Sequence, residues 1–167
     1  MSRREKRSLS DQFKELLLLL FVIALLPILI PGLIIMLVLM VSYYLLLNIY
    51  AWIVWLPRGK RVLFIFSDSP IWHEYIQSNI IPKIEHCSVI LNWSQRKQWP
   101  KYTFPIMAFR FLGGDRAFNP LVIIFRPMKT AKIIRLWEAF KSYKHGDSKP
   151  LDQAEAELFK ALKIGTA

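Results

Sequence analysis

The sequence predicts a membrane α-helical hairpin followed by a small α/β domain, and two features lead to this prediction. First, Leu16 to Pro57 contains no Asp, Glu, Lys, Arg or His, a longer uncharged run than a soluble domain of this size needs. Second, the rest of the chain alternates short apolar runs with segments of helical periodicity, which is typical of an α/β sheet. The sequence therefore divides into a basic N-terminus (1–12), a hairpin (13–57) and an α/β domain (58–167).

The apolar run is too long for one perpendicular crossing. As a single helix it would measure about 63 Å at about 1.5 Å per residue, whereas a hydrocarbon core is about 30 Å thick. Pro27 and Pro31 lack a backbone N–H, and Gly32 can adopt a left-handed turn. We therefore expect a break at Pro27–Gly32, with helices at 13–30 and 33–56. Because the first helix is short, the hairpin either crosses the bilayer twice or enters one leaflet and returns.

Basic side chains flank the run on both sides. They are Arg3, Arg4, Lys6, Arg7 and Lys14 before it, and Arg58, Lys60 and Arg61 after it. Lys and Arg favour the cytosolic side, so we expect an integral membrane protein with both termini in the cytosol, in a bacterial inner membrane or another cytosol-facing membrane. Trp52 and Trp55 suit the membrane interface, Tyr43 and Tyr44 are expected to face the first helix, and Asn48 suits contacts between copies.

The predicted domain is strongly basic. The whole chain has a net charge of +11, and residues 58–167 hold 18 basic and nine acidic side chains. Beside a membrane, such a domain is expected to bind anionic lipid headgroups or a membrane protein partner. Charge alone also fits nucleic acid, but the membrane tether argues against it.

The cysteine and histidine pattern predicts neither a metal site nor a cofactor. Cys87 is the only cysteine, and His73, His86 and His145 are far apart in the sequence. Cys87 lies in an apolar run, so we expect a buried, inert thiol.

The first half of the domain reads as a strand–helix–strand unit. The apolar runs 61–67 and 87–93 predict two buried strands, and Asp68-Ser69-Pro70 predicts the start of a helix that ends at Pro82. A crossover of this length favours a parallel pair with a right-handed connection.

The second half is less regular. We expect a polar loop at 94–103, a third strand at 104–112 and a fourth at 121–126, with the last two paired antiparallel across a short turn. After Pro127 the pattern favours a helix capped by Thr130, and an edge strand over 132–137 leading into a short helix is the alternative. Ser148-Lys149-Pro150 predicts the start of a final helix.

Ligands of open α/β sheets bind at the carboxyl ends of the parallel strands. That edge is expected to present Asp68, Ser69 and His73 after the first strand and Asn92 after the second. These four residues are the catalytic candidates of a small membrane-associated enzyme acting on a phosphate-bearing lipid or nucleotide. The G-x-S-x-G, Walker, G-x-G-x-x-G, H-E-x-x-H and C-x-x-C motifs are all absent, so a non-enzymatic binding module is the leading interpretation.

A second set of candidates mixes cations with aromatic rings, a composition that suits the headgroup layer. It consists of Trp93, Arg96, Lys97, Trp99, Lys101 and Tyr102. Arg116, beside the glycine pair Gly113-Gly114, is a further candidate for binding a phosphate group.

Overall fold

The computed structural model describes residues 9–113 and 119–162, with the side chains described from residue 12 onward. It divides into two compact units, Met1–Tyr43 and Tyr44–Ala167. The division falls inside a helix and earlier in the chain than the expected start of the α/β domain at residue 58.

The first unit consists of a helix, α1 (Leu9–Tyr50), which continues into the second unit and has Pro27 and Pro31 in its interior. A hairpin is therefore not shown. Each proline removes one backbone donor, and the hydrogen bonds on either side preserve the helix. Apart from Leu25, which is half-buried, the large apolar side chains from Leu16 to Val41 are exposed. With the turn that follows it, α1 is long and apolar enough to cross a membrane, judged by length and composition.

The second unit contains a mixed sheet of four strands in the order β2-β1-β3-β4. The strands are β1 (Val62–Phe66), β2 (Ser88–Asn92), β3 (Leu121–Arg126) and β4 (Lys129–Arg135). β1 and β2 are parallel, as predicted, while β3 pairs antiparallel with both β1 and β4. All five residues of β1 are buried, which agrees with its continuous apolar sequence.

Helical segments connect and cover the strands. They are α2 (His73–Tyr75), a π-helical turn (Ile76–Ile80), α3 (Ile81–Ile84), α4 (Phe104–Leu112), α5 (Trp137–Lys144) and α6 (Lys149–Leu162), with 3-10 turns at Glu85–Cys87 and Trp93–Gln98. One hydrophobic core joins the sheet to α5 and α6 and includes Phe64, Ile124, Phe140 and Leu158. The final helix begins where the sequence predicted.

The predicted third strand is wrong, because 104–112 forms α4. Pro105 fits the first turn of a helix, and the amides of Ile106 and Met107 donate to the carbonyl of Thr103. Ile106, Phe109 and Leu112 recur every three residues and are buried, so one face of the helix packs into the domain. The expected antiparallel pair of 104–112 with 121–126 does not form either.

The alternative for the segment after Pro127 is correct. β4 is an edge strand and leads directly into the short helix α5. Met128 has a φ of 53° in the tight turn between β3 and β4. The helix capped by Thr130 is therefore wrong, since β3 offers an open edge with which this segment pairs.

The last turns of the long helix belong to the second unit. Asn48 and Ala51 are 1% and 0% exposed, and Trp55 packs against Phe104 and Phe125 with ring centroids 4.7 and 5.7 Å apart. Trp55 is thus buried in the domain, and its expected place at the membrane interface is wrong. Gly59, with a φ of 75°, ends this segment, as the amide of Lys60 donates to the carbonyl of Trp55 and that of Gly59 to Leu56.

Two side chains of this segment bond the outer edge of β4. The amide of Ala131 donates to Asn48 Oδ1 at 2.9 Å, and Trp52 Nε1 donates to the carbonyl of Lys129 at 3.2 Å. Asn48 Nδ2 in turn donates to the carbonyl of Tyr44 at 2.8 Å, so both ends of this buried amide are bonded within the chain. The segment therefore runs antiparallel to β4 and β1, and Tyr44 lies toward the end at which β1 and β2 finish.

Replacing Asn48 by Ala should lower the free energy of unfolding by about 1–3 kcal/mol, because the amide of Ala131 loses its acceptor in a buried position. Trp52→Phe is the matched control, and it should cost less, since its lost hydrogen bond is exposed. Chemical denaturation of the full chain in detergent measures both values. Equal losses in the two variants would contradict the role given to Asn48.

Candidate functional site

Two hydrogen bonds join the ends of β1 and β2, and a third closes a ring with them. The parallel register aligns Phe66 with Asn92, so the residues that follow each strand meet. Asn92 Nδ2 donates to Asp68 Oδ1 at 2.8 Å, the amide of Asp68 donates to Ser94 Oγ at 3.1 Å, and the amide of Ser94 donates to Asn92 Oδ1 at 2.9 Å. Asp68, Asn92 and Ser94 therefore form a closed ring of contacts, which we call the edge cluster together with His73.

His73 lies beside this ring at the start of α2. Its Nδ1 atom is 3.3 Å from Asp68 Oδ1, and its ring is 5.9 Å from that of Phe66. Ser69 lies outside the cluster, because its hydroxyl accepts from the amide of Ile71 at 3.4 Å and its carbonyl accepts from the first amides of the helix. Of the four predicted catalytic candidates, the structure thus brings Asp68, His73 and Asn92 together.

The edge cluster can hold and pass a proton but contains no activated nucleophile. The side chains of His73 and Asp68 are 42% and 48% exposed, so both remain accessible to a substrate. The hydroxyl of Ser94 accepts from a backbone amide, and no hydrogen bond joins it to His73 among the described residues. A nucleophile–base pair, which acyl or phosphoryl transfer through an enzyme side chain requires, is therefore absent from this cluster.

The basic and aromatic candidates form one loop, Trp93–Tyr102, which we call the basic–aromatic loop. Trp93 and Trp99 pack edge to face with each other and with Phe109 of α4, at centroid distances of 5.5–5.9 Å. The Arg96 guanidinium lies 5.0 Å from the Trp93 ring centroid, and NH1 donates to the carbonyl of Trp93. The two tryptophans therefore hold the loop on α4.

The remaining side chains of the loop face solvent. Arg96, Lys97 and Lys101 are exposed, and Tyr102 is 87% exposed. The loop thus offers cations and one phenol on a rigid aromatic base, which is a suitable arrangement for contact with phosphates at a lipid surface.

Two other residues were singled out from the sequence. Arg116 lies outside the described residues. Cys87 is buried, its thiol lies 3.4 Å from the carbonyl of Ile84, and burial raises the pKa of the thiol above its ordinary value. Within the described ranges, no group of three or more His, Cys, Asp or Glu side chains could hold a metal ion.

Sequence reasoning missed two features. One is the bond between Asn48 and β4, for which the signal was a single amide in an apolar run; contacts between copies were expected instead. The other is a cleft between the start of β1 and the end of β3, lined by Arg61 and Arg126. That cleft depends on the antiparallel β1–β3 pairing, which the incorrect strand at 104–112 concealed.

Comparison with known proteins gives no relative: no family model, no curated protein and no solved structure matches the chain significantly. The function is therefore inferred from the geometry of the chain itself.

Asn92→Ala should lower the free energy of unfolding by about 1–3 kcal/mol, since each of the two lost bonds contributes about 0.5–1.5 kcal/mol. The amide of Ser94 should also exchange its hydrogen faster. Ser69→Ala serves as the control, because that side chain lies outside the ring. If hydrogen exchange at Ser94 were the same in Asn92→Ala as in the unmodified chain, the ring would not hold the two strand ends together.

Proposed function

We propose that the chain is a membrane-anchored module that presents a basic α/β domain to the cytosolic surface of a bilayer. The observation that supports this most strongly is the contrast along α1. Its large apolar side chains from Leu16 to Leu46 are exposed, apart from the half-buried Leu25, Tyr43 and Tyr44, whereas Leu47, Ala51 and Trp55 are buried against the domain. An exposed apolar surface of this extent is stable only when lipid or protein covers it.

Chain lengths favour a single tilted span. Once residues 47–55 pack on the domain, the legs of a hairpin broken at Pro31 would be about 15 residues each, or about 22 Å, too short to cross a core of about 30 Å twice. The segment Leu16–Tyr43 measures about 42 Å, which matches the core together with part of the headgroup layers when the helix tilts. Tyr43 and Tyr44 then lie at the interface, where tyrosine is enriched.

Charge orients the module. Residues 58–167 carry 18 basic and nine acidic side chains, which supports a cytosolic domain because the anionic lipids of the cytosolic leaflet attract a basic surface beside the membrane. A single span then places the N-terminus on the opposite side, whereas a hairpin, either re-entrant or fully crossing, keeps both termini cytosolic.

The basic–aromatic loop is the surface that we assign to anionic headgroups. It follows β2 and lies at the same end of the sheet as Tyr44, where the helix enters the domain. Each Lys or Arg near an anionic surface contributes about 1 kcal/mol, an attraction that salt screens. A membrane protein with an acidic cytosolic surface is the other partner that this loop fits.

Membrane topology can be measured with single cysteines at Ser2 and Lys144, with Cys87 left in place because its buried thiol should not react. We expect an impermeant maleimide to label the two positions from opposite sides of sealed vesicles. Labelling of both from the cytosolic side would support a hairpin and exclude the single span. Full release of the protein by carbonate washing would exclude membrane insertion.

Headgroup binding can be measured by hydrogen exchange of the full chain in nanodiscs. Exchange in residues 94–102 should slow when phosphatidylglycerol replaces phosphatidylcholine, and high salt should reverse the effect. The double variant Lys97→Gln/Lys101→Gln should lose this protection, while Lys141→Gln/Lys144→Gln on α5 should retain it. Equal exchange in both lipids would direct the search toward a protein partner.

A second candidate function rests on the edge cluster. Asp68 Oδ1 lies within 3.3 Å of both Asn92 Nδ2 and His73 Nδ1, an arrangement that suits acid–base catalysis on a phosphate-bearing lipid or nucleotide. A hydrolytic activity that His73→Ala abolishes without loss of folding would favour the enzyme over the binding module.

A further inference from the structure

The domain contains a second basic region at the opposite end of the sheet from the basic–aromatic loop. A cleft of about 370 Å³ opens where the start of β1 meets the end of β3, and Arg61, Arg126 and Lys129 line it. The amide of Phe125 donates to the carbonyl of Arg61 at 2.8 Å, which fixes the two strand ends side by side. The volume falls within the range of small-molecule sites.

We propose that this cleft binds the phosphate group of a soluble phosphate ester. Its three cations have no carboxylate partner in the part of the chain that the structure describes. Mutual repulsion between neighbouring cations is unfavourable, and a bound anion removes that repulsion.

Arg126 gives the most specific indication. One of its terminal nitrogens donates to the carbonyl of Thr130 at 3.1 Å, which fixes the guanidinium in the turn between β3 and β4. Its Nε atom is buried and has no hydrogen-bond partner among the described residues. A buried donor without an acceptor is costly, and a phosphate oxygen is the acceptor that an Arg fork matches best.

The walls of the cleft accommodate more than an inorganic ion. Phe125, Pro127 and Leu162 supply apolar surface beside the cations. A second cavity of about 320 Å³ shares Arg61 and Leu162 and adds His86. A ligand with a phosphate at Arg126 and an organic body along the apolar wall therefore uses both parts of the site.

Position in the domain favours a soluble source over a lipid headgroup. Trp52 contacts Lys129 and Trp55 contacts Phe125, so the cleft adjoins the final turns of the helical segment, whereas Tyr44 lies toward the other end of β4. The chain therefore enters the second unit at the end of the sheet opposite to Arg126.

The test is isothermal titration of the full chain in neutral phosphatidylcholine nanodiscs with pyrophosphate and with adenosine monophosphate as probes. We expect saturable binding, tighter for the nucleotide because of its organic body. Arg126→Gln and Arg61→Gln should each weaken the binding about tenfold or more, as a lost charge-assisted hydrogen bond costs about 1.5–3 kcal/mol. Lys144→Gln, which removes the same charge outside the cleft, should bind like the unmodified chain.

Arg126→Lys separates the two contributions of the arginine, because it keeps the charge and loses the fork; we expect an intermediate affinity. Arg61→Gln covers the case in which the Arg126 variants fold poorly, since Arg61 is exposed. Absence of binding to both probes, or equal weakening by Lys144→Gln, would overturn the site. Binding seen only to phosphatidic acid in the nanodisc, and lost in Arg126→Gln, would overturn the soluble source.

Discussion

The second unit depends on how the outer edge of its last strand is covered. An exposed strand edge carries unpaired backbone donors and acceptors and tends to pair with other chains. Here Asn48 and Trp52 bond the edge of β4 from the end of α1. The helix therefore completes the sheet. This contact also explains why the apolar run carries the side-chain amide of Asn48, since both the nitrogen and the oxygen of that amide are hydrogen-bonded.

Elements with a clear local sequence pattern were predicted correctly, and elements that depend on contacts with distant parts of the chain were not. The β1–β2 unit was predicted correctly because a buried strand, a helix start and a second strand each have local signals. Segment 104–112 was predicted as a strand although it is a helix, because its nine-residue sequence fits both the two-residue period of a strand and the 3.6-residue period of a helix. Only its packing on Trp55 and Trp93, which comes from distant parts of the chain, selects the helix.

The candidate site was also predictable only in part. Parallel strands bring their carboxyl ends together, so Asp68, His73 and Asn92 could be placed at one edge from sequence alone. The cleft at Arg61 and Arg126 could not be placed, because it requires β1 and β3 to be antiparallel neighbours. In the sequence, 54 residues lie between Phe66 and Leu121, about one third of the chain. Basic charge was visible in the composition, yet only the fold separates it into two surfaces at opposite ends of the sheet.

The burial of Trp55 has a practical consequence for anyone who wishes to study the domain without its lipid-facing part. A fragment cut at Arg58, where the charged sequence begins, would lose the side chains that cover β4 and would remove the Trp55 ring from Phe104 and Phe125. Such a fragment would expose both a sheet edge and an apolar surface, which are the usual causes of aggregation. A fragment that begins at Tyr44 retains these contacts, so the natural boundary for expression lies within the helix.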